Sequence, residues 1–320
     1  YVKRYFSHPQ LQTLMEFPVI FLGASPKKIP ALYSLMNYGG YALGTQYPMG
    51  GFYQLVKAMQ RVGTDLGVNY HLSSEVQAIH TEADAVKSIV VNGHDLDFDA
   101  LVASADYAHT EKLLPQAARN YTEAYWEGKT FAPSCLIYYL GISEKIPDLS
   151  HHSLFFENDL DEHISSIYEQ KTWPTSPLFY ACCPSKTDPS VAPHGKENLF
   201  LLLPLPIGAK DQEELREEYL IHMLERIERK TGVSRLLDKI EFKRSYCVSD
   251  FAKDYNAYGG NAYGLANTLG QTAFLKPKIK NKKLKNLYYA GQLTVPGPGV
   301  PPALISGKIV AKELHHEEIL

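Results

Sequence analysis

The sequence is short of cysteine, of long apolar runs and of an excess of charge of one sign. Its four cysteines among 320 residues contain no CxxC pair and make no disulfide framework, which fits a reducing cytoplasm. No stretch reaches the roughly 18 apolar residues that a membrane-spanning helix needs. The 32 basic and 35 acidic residues leave a net charge of −3, so nothing indicates a nucleic-acid partner.

A glycine-rich phosphate-binding motif is also lacking. A GxGxxG turn after a strand holds the pyrophosphate of a dinucleotide, but Gly39-Gly40 and Gly259-Gly260 have neither the spacing nor the preceding strand. Because the chain starts at Tyr1 without Met, we expect a fragment of a longer protein. Either the phosphate-binding segment precedes residue 1, or the protein binds no dinucleotide.

The most informative stretch present is the last strand–loop–helix unit, 286–313. The apolar and aromatic run 286–290 predicts a buried strand that ends at Gly291, and a loop of alternating proline and glycine follows. Pro301-Pro302 are typical of a helix start. The predicted helix has one apolar face, formed by Leu304, Gly307, Ala311 and Leu314, in which Gly307 would allow a close backbone approach. By spacing alone, the unit is either a plain strand–helix connection or a ligand site at a positive helix N-terminus.

Earlier stretches predict further elements. Residues 47–52 contain a Pro-x-Gly-Gly turn before an amphipathic helix, and 67–70 and 74–79 predict short strands. Asn92-Gly93 predicts a type I′ hairpin turn between strands 86–91 and 96–103, and Asp106 an N-cap. Strands are also predicted at 134–141, 178–183 and 199–203, and a helix at 213–230 that Gly232 ends.

Four groups of side chains invite a functional interpretation that the sequence does not favour. The pairs His151-His152 and His315-His316 are not expected to bind metal, because adjacent histidines on a strand point to opposite faces and no cysteine joins them at ligand spacing. Cys182-Cys183 is interpreted as inert packing. The six lysines from Lys276 to Lys285 are interpreted as a solvated connector rather than a lipid contact.

The motifs, taken in order, resemble those of bacterial-type phytoene desaturases and related carotenoid oxidoreductases. The loop GQLTVPGPGVPP is the most specific of them, and PMGG, Ser104-Ala105-Asp106 and APSCLIYYLGI support it. The resemblance implies an α/β protein with an α+β substrate domain, in the two-domain fold of FAD-dependent oxidoreductases of the amine oxidase and phytoene desaturase type, without its N-terminal Rossmann unit. It implies four segments: a substrate-binding, membrane-facing helical part (1–66), FAD-domain strands and hairpin (67–115), a substrate-binding domain (116–245) and a C-terminal FAD-binding segment (246–320).

The resemblance also implies site residues. Those expected to bind FAD are Val76, Gly291, Gln292, Thr294, Gly299, Val300 and Pro301. Backbone N–H groups near Val300 and Pro301 would face the flavin, and the helix dipole would stabilise negative charge on it. Weaker candidates for the substrate channel are Tyr47, Gly50, Gly51, Tyr258, Tyr263 and Gly264. No catalytic acid or base is assigned.

The implied activity is FAD-dependent dehydrogenation of a long acyclic isoprenoid in carotenoid biosynthesis. A hydride would pass to flavin N5 and a proton would leave the neighbouring carbon. A hydrophobic polyene substrate implies an apolar tunnel and peripheral association with the inner face of the membrane. The alternatives are a carotenoid isomerase or saturase of the same superfamily, and a non-enzymatic prenyl-binding protein of the GDP-dissociation-inhibitor type. The fragment alone is expected to bind FAD poorly or not at all.

Overall fold

A computed structural model describes residues 1–316; residues 317–320, the end of the expected C-terminal segment, lie outside the description, as do the side chains of 20–22. The helices are α1 (Pro9–Glu16), α2 (Leu35–Asn37), α3 (Tyr53–Asp65), α4 (Tyr107–Lys112), α5 (Glu123–Glu127), α6 (Leu160–Ser165), α7 (Glu213–Thr231), α8 (Val248–Asp254) and α9 (Val300–His316). The strands are β1 (Val76–Glu82), β2 (Ala85–Val91), β3 (His94–Asp97), β4 (Leu101–Ala103), β5 (Ser134–Ile142), β6 (His152–Phe155), β7 (Phe179–Cys182), β8 (Glu197–Leu205), β9 (Ile240–Tyr246) and β10 (Leu287–Tyr289). Short 3-10 and π-helical turns connect them. Among the described residues, no helix has the length and apolarity to cross a membrane.

The chain divides into two compact units, each built from separate stretches of sequence. Unit 1 contains residues 1–16, 34–70 and 133–250, and unit 2 contains 17–33, 71–132 and 251–320. The four segments expected from the sequence stay a prediction.

Unit 1 is built on an antiparallel five-stranded sheet in the order β6-β7-β8-β5-β9. Alternate residues of β8 are buried, as a strand with one covered face requires. That face packs against the apolar side of α7, where Leu220, Met223 and Ile227 are fully buried in the same cluster as Leu199 and Leu203. Gly232 ends α7 in a left-handed conformation, as predicted. This core holds β7 and the edge strand β6 in place.

Unit 2 contains a meander, β1-β2-β3, and a parallel pair, β4 with β10. Asn92 and Gly93 both have positive φ, which confirms the type I′ turn. Asp106 caps α4, as predicted, by accepting from the His109 N–H at 3.0 Å. The buried carboxylate of Glu111 accepts from the Tyr289 hydroxyl at 2.8 Å, which anchors β10 at the start of the final loop.

Two strand predictions are wrong. Residues 67–70 form no strand, because the N–H groups of Leu66 and Val68 close the last turn of α3 on the carbonyls of Val62 and Gly63. The run 96–103 is not one strand either. It divides into β3, which continues the meander, and β4, which leaves it to pair with β10.

The predicted apolar face of the last helix is right for Leu314 and wrong for Leu304, Gly307 and Ala311. The buried residues of α9 are Ser306, Val310 and Leu314, whereas Leu304 is 44% exposed. A Cβ at Gly307 would meet nothing within 4 Å, so this glycine serves no close approach. The Ser306 hydroxyl accepts from the Gly291 N–H at 2.7 Å. This contact explains why α9 buries the side that carries Ser306 rather than the side that carries Leu304.

Candidate functional site

The end of β10 is tied directly to α9. The Ala290 N–H donates to the Ala103 carbonyl at 3.0 Å, continuing the pairing with β4, and the next N–H, that of Gly291, donates to Ser306. The Ser306 hydroxyl in turn donates to the Ala303 carbonyl at 2.7 Å. The strand end and the helix therefore form one framework, which fixes the loop 291–299. Sequence reasoning missed Ser306, whose hydroxyl gives no periodic signal.

The first part of this loop is held by its own hydrogen bonds. Thr294 is fully buried, and both its N–H and its hydroxyl donate to the Gly291 carbonyl, at 3.1 and 2.9 Å. Gly291 has a φ of +108°, a conformation that L side chains rarely adopt. Gln292 lies against Gly264, because a Cβ on Gly264 would be 3.1 Å from the Gln292 carbonyl oxygen. The structure thus brings Gly264 to the predicted loop.

The helix start offers fewer donors than the sequence argument assumed. Pro301 and Pro302 carry no N–H, and the Ala303 N–H donates to the Gly299 carbonyl at 2.9 Å. Val300, at the exposed beginning of α9, is left as the first-turn residue whose N–H could reach a ligand. Pro301 itself has no N–H to donate, so the expectation that N–H groups near Val300 and Pro301 face the flavin stays a prediction that depends on Val300.

Lys276 supplies a positive charge beside the same loop. Its side chain is 3% exposed, and its ammonium group has no hydrogen-bond partner in the described chain. The buried Asn267 Oδ1 is also unpartnered. A Cβ on Gly297 would lie 3.0 Å from Lys276 Cε and 3.4 Å from both Lys276 Nζ and Asn267 Oδ1. Gly297, which has a φ of +134°, therefore lets both polar groups approach the loop more closely than a side chain at this position would allow.

Burial of this ammonium group has an energetic cost. It lowers the pKa of Lys276 from 10.5 to about 8, since the charged form is poorly solvated. Folded proteins rarely leave such a group unpaired, so an unpartnered donor and acceptor side by side fit a ligand with an anionic or polar edge. The prediction that the lysine run is a solvated connector is therefore wrong for Lys276.

The remaining predicted residues of unit 2 lie elsewhere in that unit. The Tyr258 N–H donates to Asp106 Oδ2 at 3.2 Å, and the Tyr258 ring stacks on Phe131 with centroids 4.8 Å apart. Tyr263 is half-buried. Val76 begins β1 and pairs with Val91, so its proposed role in binding adenine through the backbone stays a prediction.

In unit 1 the predicted residues Tyr47, Gly50 and Gly51 meet the loop after β7. The Gly50 N–H donates to Asp188 Oδ2 at 2.6 Å, and Gly50 and Gly51 both have positive φ. Hydrogen bonds from Gly50 and from Ser190 hold the pKa of the Asp188 carboxyl below its usual value. The Pro-x-Gly-Gly turn is therefore fixed by a carboxylate that sequence reasoning left without a role.

A cluster of nitrogen and sulfur atoms lies next to this turn. The Tyr47 ring meets the His151 ring edge-on at 5.1 Å, and the rings of His151 and His152 are 4.3 Å apart at only 30°. His152 is paired across the sheet with Cys182. The argument that the adjacent histidines point to opposite faces is wrong, because His151 precedes β6 and strand alternation does not apply to it. Sequence reasoning also missed Cys182, which only the β6–β7 register brings to the pair.

Relatives of known name share most of this chain. A carotenoid 3,4-desaturase from Haloarcula japonica is 42% identical over 315 residues, which cover 98% of this chain and 63% of the relative. A zeta-carotene-forming phytoene desaturase from Myxococcus xanthus is 31% identical over 323 residues, covering 98% of this chain and 61% of that protein. The chain thus spans slightly less than two thirds of the length of these relatives.

Solved structures agree on the fold. An oxidoreductase from Methanosarcina mazei superposes with a TM-score of 0.62 at 18% identity, over 97% of this chain and 66% of that one. A redesigned putrescine oxidase superposes with a TM-score of 0.58 at 9% identity, over 98% of this chain and 66% of that one. Both share the α/β fold that the sequence predicts. The family model for flavin-containing amine oxidoreductases matches residues 1–315, and the chain belongs to that family.

Proposed function

We propose that this protein is an FAD-dependent oxidoreductase that desaturates a long, apolar carotenoid precursor. The observation that carries the proposal is the loop 291–299, beside which two buried polar groups, the Lys276 ammonium and Asn267 Oδ1, have no hydrogen-bond partner among the described residues. This arrangement fits a large ligand with a polar, electron-rich edge, as a flavin has. The named relatives, a carotenoid 3,4-desaturase and a phytoene desaturase, support the choice of reaction and of substrate class.

The residues of unit 2 would bind and orient the cofactor. Lys276 would place a positive charge at the ligand's polar edge, and Asn267 would accept a hydrogen bond from it. The hydrogen bonds from Gly291 to Ser306 and from Thr294 to Gly291 would keep the loop rigid, so that little ordering is needed on binding. When bound, FAD supplies an acceptor for the hydride removed from the substrate. Desaturation removes that hydride and, from the neighbouring carbon, a proton.

Access to the substrate would require contact with a membrane surface. In α3 the side chains of Tyr53, Val56, Met59 and Val62 are exposed and recur every third position, which gives an apolar stripe along the helix. Lys57 and Arg61 accompany the stripe. Such a helix is suited to lie in the interface of a bilayer, from which a carotenoid precursor could be collected.

The test uses the protein with any residues that its gene encodes upstream of Tyr1. The purified protein should show flavin absorbance, sediment with lipid vesicles that contain phytoene or a partly desaturated carotenoid, and shift the polyene absorption to longer wavelength. Vesicles without added FAD and a heat-inactivated sample are the controls. If the protein neither carries nor takes up FAD, the proposed cofactor is wrong. If flavin-loaded protein leaves every polyene spectrum unchanged, the proposed reaction is wrong.

A further inference from the structure

His151, His152 and Cys182 form a cluster outside the loop assigned to the flavin. One ring nitrogen of each histidine and the Cys182 sulfur lie within 4.8 Å of one another. In a tetrahedral zinc site, with bonds of about 2.0 Å to nitrogen and about 2.3 Å to sulfur, ligand atoms lie about 3.5 Å apart. To share one ion, the three atoms would therefore have to come closer together by side-chain rotation.

In both histidines Nδ1 is hydrogen-bonded to a neighbouring hydroxyl, as is typical of histidines that bind a metal ion through Nε2. His151 Nδ1 shares a hydrogen bond of 2.7 Å with the Thr187 hydroxyl, and His152 Nδ1 shares one of 2.6 Å with the Tyr180 hydroxyl. Such contacts fix the ring orientation and leave Nε2 as the coordinating atom.

The His151 Nε2 atom gives an independent reason to expect a ligand. It is buried and has no hydrogen-bond partner in the described chain. An imidazole nitrogen in this condition is costly unless something bonds to it. Cys182 is a free thiol, half-buried, at the end of β7 and directly opposite His152. The cluster therefore places His151 Nε2, which lacks a partner, near the Cys182 sulfur, and one metal ion could bond to both atoms.

We propose that His151, His152 and Cys182 form a metal site that takes Zn²⁺ through three protein ligands. Mixed imidazole and thiolate ligands suit zinc, whereas Mg²⁺ and Ca²⁺ require oxygen. Binding releases the Cys182 proton to solvent and leaves a coordination position for water. The ion joins the start of β6 to the end of β7, next to the turn that contains Tyr47 and Gly50. The proposal does not depend on the flavin or on the carotenoid.

Cobalt spectroscopy tests the site on untagged, chelator-treated protein. One equivalent of Co²⁺ should produce thiolate-to-metal charge-transfer absorption and the intense visible bands of a tetrahedral ion, and Zn²⁺ should displace both. The Cys182→Ser variant should lose the charge-transfer absorption. His222→Ala, which removes an exposed histidine of α7, should bind as the wild type does.

A conservative variant keeps the test valid if Cys182→Ser folds poorly. Tyr180→Phe retains the ring and removes the hydroxyl that contacts both His152 and Cys182. Metal affinity should therefore fall about 10- to 100-fold while the circular dichroism spectrum is unchanged. The proposal is overturned if folded wild-type protein binds no stoichiometric Co²⁺. It is equally overturned if the charge-transfer absorption persists in folded Cys182→Ser.

Discussion

At the scale of single residues, Lys276 is a cation that the fold keeps out of water with no counter-charge among the described residues. In flavin-free protein this burial is a cost, since its pKa falls from 10.5 to about 8. Between these two values the unfolded chain holds a proton that the folded chain has lost, so stability rises with pH through this window. Below about pH 8 both states are protonated, and the full penalty, about 3 kcal/mol, applies.

The Lys276→Met variant tests this penalty. Without FAD it should be more stable than wild type by up to about 3 kcal/mol at pH 7, and the difference should shrink as pH rises from 8 toward 10.5. Urea denaturation at several pH values measures the difference. Lys278→Met, at an exposed position, is the control and should follow wild type. A stability difference that does not depend on pH would contradict the conclusion that the folded protein buries Lys276 in its charged form.

The same variant should weaken FAD binding. Loss of one charge-assisted hydrogen bond, worth about 1.5 to 3 kcal/mol, lowers affinity by about tenfold or more. Titration followed by flavin fluorescence measures this effect. A stabilised protein with unchanged FAD affinity would show that Lys276 does not face the cofactor.

At the scale of elements, Gly264 controls how closely its own segment approaches the loop after β10. Its φ is +83°, and an added methyl group would lie 3.1 Å from the Gln292 carbonyl oxygen, a backbone atom that cannot easily move. Gly264→Ala should therefore lower the free energy of unfolding by about 2 kcal/mol, from the left-handed conformation and the close contact together.

A second glycine of the same unit provides a matched control. A Cβ on Gly270 would meet nothing within 4 Å, and its backbone is not in the left-handed region. Gly270→Ala should stay within about 0.5 kcal/mol of wild type in the same urea denaturation. Equal effects of the two substitutions would mean that the contact with Gln292 does not constrain the loop.

Local sequence signals predicted many elements but not their partners. Asn92-Gly93, Asp106 and Gly232 acted as predicted, because a turn or a cap depends on a few neighbouring residues. The wrong predictions involve contacts far along the chain. The face of α9 depends on Ser306 meeting Gly291, and the His151–Cys182 cluster depends on the β6–β7 register. Periodicity carries no information about either contact.

At the scale of the whole molecule, the two proposed ligands belong to different units. The residues for FAD lie within 251–320 of unit 2, apart from the predicted Val76, which is also in unit 2. The three zinc ligands lie within 133–250 of unit 1. Neither unit is continuous in sequence, but a boundary near residue 250 separates the zinc ligands from all the proposed FAD residues except Val76.

Hydrogen exchange should therefore respond to each ligand in a separate set of amides. A ligand at 100 times its dissociation constant stabilises the bound state by about 2.7 kcal/mol, so amides that exchange only when the site opens should slow about 100-fold. Zn²⁺ should slow exchange in β6 and β7, and FAD should slow it in 290–306. Cys182→Ser should abolish only the zinc effect, and Lys276→Met should diminish only the FAD effect. If Zn²⁺ slows amide exchange in β6 and β7 of Cys182→Ser as strongly as in wild type, Cys182 is not a ligand of the ion. If FAD leaves amide exchange in 290–306 unchanged, the loop does not hold the cofactor.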